Sequence, residues 1–433
     1  MAAIDLAHLR AWTAVPTPRF VGGNRVELLE GGHELFPRMH AAIAQARREV
    51  WLATYIFHDD PTSTALLEDL CAAASRGVAV HLVLDGFGSS STLPAIRKRI
   101  EGTAVQLEVF RPLERWWAWL QPGQLRRLHQ KLCVCDADGT DTDPGHGEVA
   151  FVGGINIIDD RLDLRHGWSD QPRLDFAVEL RGPLATAVHA TARAMWARAH
   201  LARGWREEMR TLARSAAPMD RARLLARQLR GAADLAATDD PSPVRAAFLV
   251  RDNLRQRRAI ERSYVEAIRG ARERVDIAVP YFYPGRAFRR ALRRAARRGV
   301  RVRLLLQGKI DYRIAAIAAR ALYDELRANG VRIYEYTPAF LHAKVAVVDE
   351  AWATVGSSNI DPLSLLLNLE ANVVVRDPGF ARALAARFES AFAVSREVSL
   401  QPAQAGWRGW LRRAGVAWAA NLYLRVAGIT GRY

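Results

Sequence analysis

Apolar positions along this chain recur in two rhythms. Segments such as Phe36 to Arg47 and Arg258 to Arg269 place apolar residues three and four apart, the stripe of an amphipathic helix. Each leads to a short β-branched and aromatic run, and each run is followed by a second helical pattern that stops at a glycine. Gly77 and Gly299 stand where a helix needs a left-handed residue to end. The near-continuous apolar stretches Val78 to Leu84 and Val300 to Leu306 come directly after them and predict strands buried on both faces. Alternating helix and strand patterns predict an α/β layer architecture.

The pattern also occurs twice. Ala74-Ser75-Arg76-Gly77-Val78 through Gly86 returns as Ala296-Arg297-Arg298-Gly299-Val300 through Gly308, 222 positions later. Upstream, Arg48-Glu49-Val50 leading to Thr54-Tyr55-Ile56-Phe57 is answered by Glu273-Arg274-Val275 leading to Val279-Pro280-Tyr281-Phe282. Downstream, His129-Gln130-Lys131 with Asp136 is answered by His342-Ala343-Lys344 with Asp349, and Gly153-Gly154-Ile155-Asn156 by Gly356-Ser357-Ser358-Asn359. Four matched blocks in one order predict a duplicated unit. The divisions expected are an extension over 1–22, a first lobe over 23–203, a helical connector and linker over 204–246, a second lobe over 247–398 and a tail over 399–433. The connector is Arg/Ala-rich and ends in Thr238-Asp239-Asp240-Pro241-Ser242-Pro243.

Composition then narrows the chemistry. The chain has 433 residues, and its 62 basic against 46 acidic side chains give a net charge of +16, so its surface should seek polyanions, either nucleic acid or anionic lipid. Hydrophobic residues at 50% exclude general disorder. Only four of the 62 cations are lysines, Lys98, Lys131, Lys309 and Lys344. In a chain that writes nearly every cation as arginine, a surviving lysine marks a need for a compact ammonium, and Lys131 and Lys344 occupy matching places in the repeat. Cys71, Cys133 and Cys135 lack the number for a paired framework and the spacing of a zinc site, which fits a reducing, cytosol-facing location. No charge-free apolar run approaches the ~20 residues of a spanning helix, and Met1 to Gly22 lacks a signal-peptide core. Contact with a membrane from one side is the expectation.

On a strand, where side chains alternate, His129 and Lys131 share a face with Cys133 and Cys135, while Asp136 falls on the other; His342, Lys344 and Asp349 repeat the arrangement. The candidate catalytic set is His129, Lys131, Asp136, His342, Lys344 and Asp349, with hydrogen bonding inside the scaffold the expected role of the two aspartates. Paired His, Lys and Asn suit phosphodiester chemistry without a metal or other cofactor. One imidazole attacks phosphorus, and a second, protonated, donates to the leaving oxygen. Lys131, Lys344, Asn156 and Asn359 hold the nonbridging oxygens as charge builds. Asp175 and Glu370, which follow the Gly-Asn segments, are placed to fix the histidine tautomers. The other histidines, among them His58, His81, His166, His189 and His200, read as satisfied polar residues.

Two His-x-Lys-x-x-x-x-Asp motifs, one followed by Gly-Gly-x-Asn and the other by the run from Gly356 through Glu370, resemble the phospholipase D superfamily. Within it, Val26 to Gly32, Asp85-Gly86-Phe87-Gly88-Ser89 and Trp352 through Asn372 resemble bacterial cardiolipin synthases, in particular the B branch. The resemblance implies duplicated α/β/α lobes about a pseudo-twofold axis with one shared active site. It further implies that His129 forms a phosphatidyl-histidine intermediate and that His342 is the general acid and later the base. The implied reaction joins two phosphatidylglycerol molecules into cardiolipin and glycerol at the cytoplasmic face of the inner membrane.

The superfamily also holds nucleases, so the edges of the site matter. Trp116-Trp117-Ala118-Trp119-Leu120 suits base stacking or an interfacial aromatic belt. From Trp407 to Arg425, Trp407, Trp410, Leu411, Ala414, Trp418 and Leu422 fall near one helical face with arginines elsewhere, which favours a helix lying on an anionic bilayer. Phospholipid and an anionic membrane surface are therefore the expected partners, with no nucleic acid. Hydrolysis to phosphatidic acid, another donor such as phosphatidylethanolamine, a nuclease and a non-enzymatic scaffold remain as rivals.

Overall fold

Two mixed sheets built to the same plan face each other across a shared core. The computed structural model describes residues 19–112, 126–136, 148–164, 166–212, 244–251, 256, 258–308, 322–361 and 368–398. The first sheet contains β1 (Arg25–Glu30), β2 (Glu49–Thr54), β3 (Ala79–Asp85), β4 (Gln106–Phe110), β5 (Leu132–Cys135), β6 (Val149–Gly153) and β9 (Phe176–Arg181), in the order β1-β9-β6-β5-β2-β3-β4. A small hairpin, β7 (Leu162–Asp163) with β8 (Gly167–Trp168), stands apart from it. The second sheet contains β10 (Arg245–Arg251), β11 (Arg274–Val279), β12 (Arg301–Gln307), β13 (Arg332–Tyr336), β14 (Val345–Val348), β15 (Trp352–Gly356), β16 (Glu370–Arg376) and β17 (Arg396–Glu397). Its order, β10-β16-β15-β14-β11-β12-β13-β17, is the first order again with one edge strand added. The duplicated α/β architecture expected from the repeat is the one observed.

Local signals account for the helices. Helix α1 (Gly31–Gln45) buries Leu35, Phe36, Met39 and Ile43 at helical spacing. Helix α2 (Pro61–Ser75) starts where the Asp60 carboxylate accepts the Ser63 N–H, with Pro61 in its first turn, and Gly77 then turns the chain at φ 89°. Helix α3 (Leu93–Ile100) completes the outer layer of the first lobe, whose core includes Leu66, Leu70, Cys133 and Cys135. Helix α4 (Pro183–Leu212) lies on the inner face of that sheet. In the second lobe, α5 (Ala259–Gly270) and α6 (Arg286–Arg297) cover the outer face, and Gly299 ends α6's run at φ 91°. Helix α7 (Pro378–Ala393), capped by Asp377, covers the inner face. One apolar core joins the two inner faces, with Met195 and Trp196 of α4 and Leu384 and Phe388 of α7 in the same cluster as Val178 and Val373. The sheets are thus docked as two halves of a single body.

Some boundaries lie elsewhere than the sequence suggests. Helix α4 runs through the division expected at 203 to Leu212, and the second sheet begins at Arg245. Val21, placed in the extension, bridges Ala246 and so ties the start of the described chain to the second lobe. The Trp116 to Trp119 run, most of the connector and the 399–433 tail lie outside the described residues.

Candidate active site

The histidine segments precede β5 and β14, and each is stitched to the other lobe. Leu128 forms a parallel bridge with Leu369: His129 N–H donates to Leu369 O at 3.0 Å, and Leu369 N–H donates to Arg127 O at 2.9 Å. Leu341 bridges Leu174 in the same way, with His342 N–H on Leu174 O and Leu174 N–H on Phe340 O, both at 2.9 Å. In a parallel bridge the following residues travel side by side, so His129 comes beside Glu370 and His342 beside Asp175. His129 Nδ1 meets Glu370 Oε2 at 3.0 Å, and His342 Nδ1 meets Asp175 Oδ2 at 2.6 Å. The acids that sequence reading assigned to the two histidines serve them crosswise, each from the opposite half. Side-chain exposure is 12% for His129 and 25% for His342, against 0% and 2% for the acids behind them. Only the imidazoles are therefore open to a substrate, and with Nδ1 engaged each offers Nε2.

Around these pairs lie the remaining duplicated groups. Lys131 donates to His129 O at 2.8 Å, Lys344 donates to His342 O, and both ammonium groups are buried. Asn156 and Asn359 are buried too; Asn156 Oδ1 accepts from Ile56 N–H at 3.4 Å, while Asn359 Oδ1 has no hydrogen-bond partner among the described residues. Glycine is required at Gly154, because a Cβ there would run into the Asp175 carboxylate.

Asp136 and Asp349, included above in the catalytic set, are not in this cluster. Asp136 accepts from the backbone N–H groups of Arg47, Arg48 and Glu49 at 2.8, 2.9 and 2.9 Å. Asp349 does the same for Arg272, Glu273 and Arg274. Both sit at positive φ, 51° and 52°, which turns their carboxylates back onto the preceding helix-to-strand corner. Their chemistry is to pin that corner to the end of β5 or β14. The left-handed turn at each aspartate is what aims its carboxylate away from the histidine.

Three further side chains belong to the site and were not singled out by sequence. The Tyr55 ring lies 5.1 Å from the His129 ring and 5.6 Å from the Lys131 ammonium. Ser357 Oγ donates to Glu370 Oε2 at 2.5 Å and accepts from Ala371 N–H at 3.0 Å. Arg173 is among the charges that depress His342 and pull on Asp175, while its guanidinium donates to Leu162 O at 2.7 Å. Tyr55 and Ser357 stood inside the matched blocks, so a signal was present for both.

Electrostatics make the two pairs unequal. Burial lowers His129 below the ordinary histidine value, against the pull of Glu370. Burial pushes Glu370 up, but His129, Lys131 and Ser357 together outweigh it and hold the carboxyl below its usual range. Asp175 has no such surplus: burial carries it to about 6 although Lys344 draws it down. Burial, followed by Lys344, Arg173, Lys131 and His129, holds His342 well below the usual value. Lys131 is pushed to about 7 and Lys344 to about 8, in both cases by burial first, with Glu370 and Asp175 opposing. Groups from each half shift groups of the other, as one shared site requires.

A family model described as "Cardiolipin synthase, PLD-like domain" matches residues 39–167 and 264–392, one match in each lobe. The chain belongs to this family. It is 35% identical over 372 residues to cardiolipin synthase B of Escherichia coli (strain K12), covering 84% of this chain and 79% of that protein. Against cardiolipin synthase B of Salmonella typhi the identity is 36% over the same shares. Among solved structures, phosphatidylserine synthase of Haemophilus influenzae superimposes with a TM-score of 0.65 over 97% of both chains at 12% identity, a likeness of fold. Membership of the cardiolipin synthase family gives the duplicated lobes and the twice-written motif a common origin, and it places the chain among phosphatidyltransferases of the phospholipase D superfamily.

Proposed function

We propose that this chain condenses two phosphatidylglycerol molecules into cardiolipin and glycerol. The observation that carries the reading is the crossed geometry: two imidazoles backed by buried acids from opposite lobes, with buried ammonium groups beside them and each imidazole more open than the acid behind it. His129 Nε2 attacks phosphorus and the P–O bond to glycerol breaks, while His342 gives its proton to the departing oxygen. The second phosphatidylglycerol then gives its hydroxyl proton to His342, and its oxygen displaces His129 from phosphorus. Lys131, Lys344, Asn156 and Asn359 hold the nonbridging oxygens in both steps.

The unequal pairs support this division of labour. Glu370 stays ionised and steadies a neutral His129, as a nucleophile needs. Of the two carboxyls Asp175, at about 6, is the one that takes up a proton nearer neutrality, although burial holds His342 itself low, and an arriving phosphate anion favours proton uptake by that pair. Among the described residues no helix is long and apolar enough to cross a membrane. The net charge of +16 supports action at an anionic membrane surface.

The test is purified full-length protein on phosphatidylglycerol vesicles in EDTA, beside His129→Ala, with lipid products identified by mass spectrometry. Cardiolipin and glycerol from wild type alone are expected. Phosphatidic acid in their place would make the chain a hydrolase, and a loss in EDTA restored by magnesium or zinc would overturn the metal-free scheme.

A further inference from the structure

Four large apolar side chains stand exposed among the described residues: Phe87 at 51%, Leu164 at 54%, Trp168 at 63% and Val394 at 56%. The first three share one edge of the first lobe. β2 and β3 are parallel, and β5 is antiparallel to both β2 and β6, so the C-terminal ends of β2, β3 and β6 lie at the end where β5 begins. His129 enters β5 at that end. Phe87 follows β3 there, and Leu164 and Trp168 lie on the β7–β8 hairpin that follows β6.

The hairpin is held in place, not frayed. Ser169 N–H donates to Arg161 O at 2.7 Å, Arg173 to Leu162 O at 2.7 Å and His166 N–H to Asp163 Oδ1 at 3.0 Å, while the His166 ring lies 5.1 Å from Phe340 of the second lobe. Its far end runs through Leu174 to Asp175, the partner of His342. A braced element that presents leucine and tryptophan to water beside a catalytic opening has the chemistry of an interfacial anchor: an indole suits the headgroup level and aliphatic groups the acyl boundary. Arg161 beside the hairpin is exposed, as is Asp170, while the Arg127 guanidinium 5.3 Å from the Phe87 ring is largely buried beside Asp85. With a net charge of +16 on the chain, the matching surface is anionic.

We infer that the β7–β8 hairpin, with Phe87, seats the active-site edge on an anionic phospholipid bilayer and so delivers substrate to the histidines from the membrane. This rests on the reading of the site as one that acts on phospholipid.

The experiment compares full-length wild type with Leu164→Ser/Trp168→Ser and with Phe87→Ser. It measures co-sedimentation with phosphatidylglycerol and phosphatidylcholine vesicles, turnover on vesicles, and turnover of short-chain phosphatidylglycerol below its micellar concentration. The double variant should bind phosphatidylglycerol vesicles about tenfold more weakly or worse. Its vesicle turnover should fall in step, and its monomer turnover should stay within about twofold of wild type, a measure of retained folding and chemistry. Equal vesicle binding by wild type and the double variant would overturn the inference. So would a dye on Trp168→Cys, in a Cys71→Ser background, whose emission fails to shift to the blue on phosphatidylglycerol vesicles. Absence of monomer turnover in wild type would instead strike the proposed reaction, because sedimentation and the dye still read docking by themselves.

Discussion

Replacing Ser357 with alanine tests how the site keeps its two pairs different. The hydroxyl donates at 2.5 Å to the same Glu370 oxygen that His129 meets at 3.0 Å, and the carboxylate is fully buried. A hydrogen bond to a charged group contributes about 1.5–3 kcal/mol. At about 1.4 kcal/mol per pKa unit, its loss should raise the first protonation of the Glu370–His129 pair by about 1–2 units. Whichever atom of the pair takes that proton, the sign is the same, because a carboxylate with one donor fewer is the stronger base.

In the proposed mechanism the active form is neutral His129 beside ionised Glu370, so activity is lost as pH falls through the protonation of the pair. In Ser357→Ala that acid limb moves upward, with a modest loss near neutrality that deepens under mildly acid conditions. The assay is the pH dependence of kcat/KM on monomeric short-chain phosphatidylglycerol for wild type, Ser357→Ala and Ser357→Thr. Threonine keeps a hydroxyl and should return the limb toward wild type. Coincident acid limbs for wild type and Ser357→Ala would refute the claim that this hydroxyl holds Glu370 ionised, whatever happens to the overall rate.

Other consequences are equally direct. The ammonium groups of Lys131 and Lys344, at about 7 and 8 in the empty site, lose charge as pH rises, and a bound phosphate anion opposes that loss; the alkaline limb should therefore lie higher in kcat than in kcat/KM, and coincident limbs would contradict it. Gly154→Ala pushes a methyl group into the Asp175 carboxylate; a misplaced acid behind His342 should lower turnover about a hundredfold, with little change in thermal unfolding, and an active variant would show that Asp175 need not hold its place. Asp136→Ala removes the acceptor of three backbone N–H groups at a buried corner. It should cost about 3 kcal/mol in denaturant unfolding, more than Asp349→Ala at its more open corner, while turnover per folded molecule changes little; selective loss of turnover would return Asp136 to the catalytic set.

Much of this was legible in the chain because duplication writes its own control. A lone histidine on a strand means little, but His129 and His342, each with a lysine two residues on and an asparagine after a glycine turn, single themselves out, and Gly77 and Gly299 mark the same helix ends in both halves. What sequence left open depends on how the halves meet. The crossing of Glu370 to His129 and of Asp175 to His342 follows from bridges between Leu128 and Leu369 and between Leu341 and Leu174, which join residues more than 160 positions apart. The backbone partners of the two aspartates were hidden for a different reason. Their left-handed backbone sends the carboxylates toward Arg47–Glu49 and Arg272–Arg274, a direction that strand alternation does not specify. The long helix α4 crosses the division expected at 203 because an Arg/Ala-rich sequence gives no stop signal there.

A duplicated site carries a problem that its own symmetry creates. One histidine must be neutral to attack phosphorus while its twin carries a proton for the leaving group, and two identical pairs would titrate together and do neither well. This chain departs from its repeat at the positions that matter for that conflict. Where the second half has Ser357 to donate to Glu370, the first has Gly154, packed so closely on Asp175 that no side chain fits. Where Asn368 precedes Leu369-Glu370, Arg173 precedes Leu174-Asp175 and brings a cation to the His342 side. His129 and Lys131, with Ser357 adding to them, hold Glu370 below its usual range, whereas Asp175, with no hydroxyl donor among the described residues, is carried by burial to about 6. The lobes supply the same groups, and the difference between Gly-Gly and Gly-Ser leaves the two carboxylates unequal, which supports the proposed division into a nucleophile and an acid, whereas the Arg173 cation opposes protonation on the His342 side.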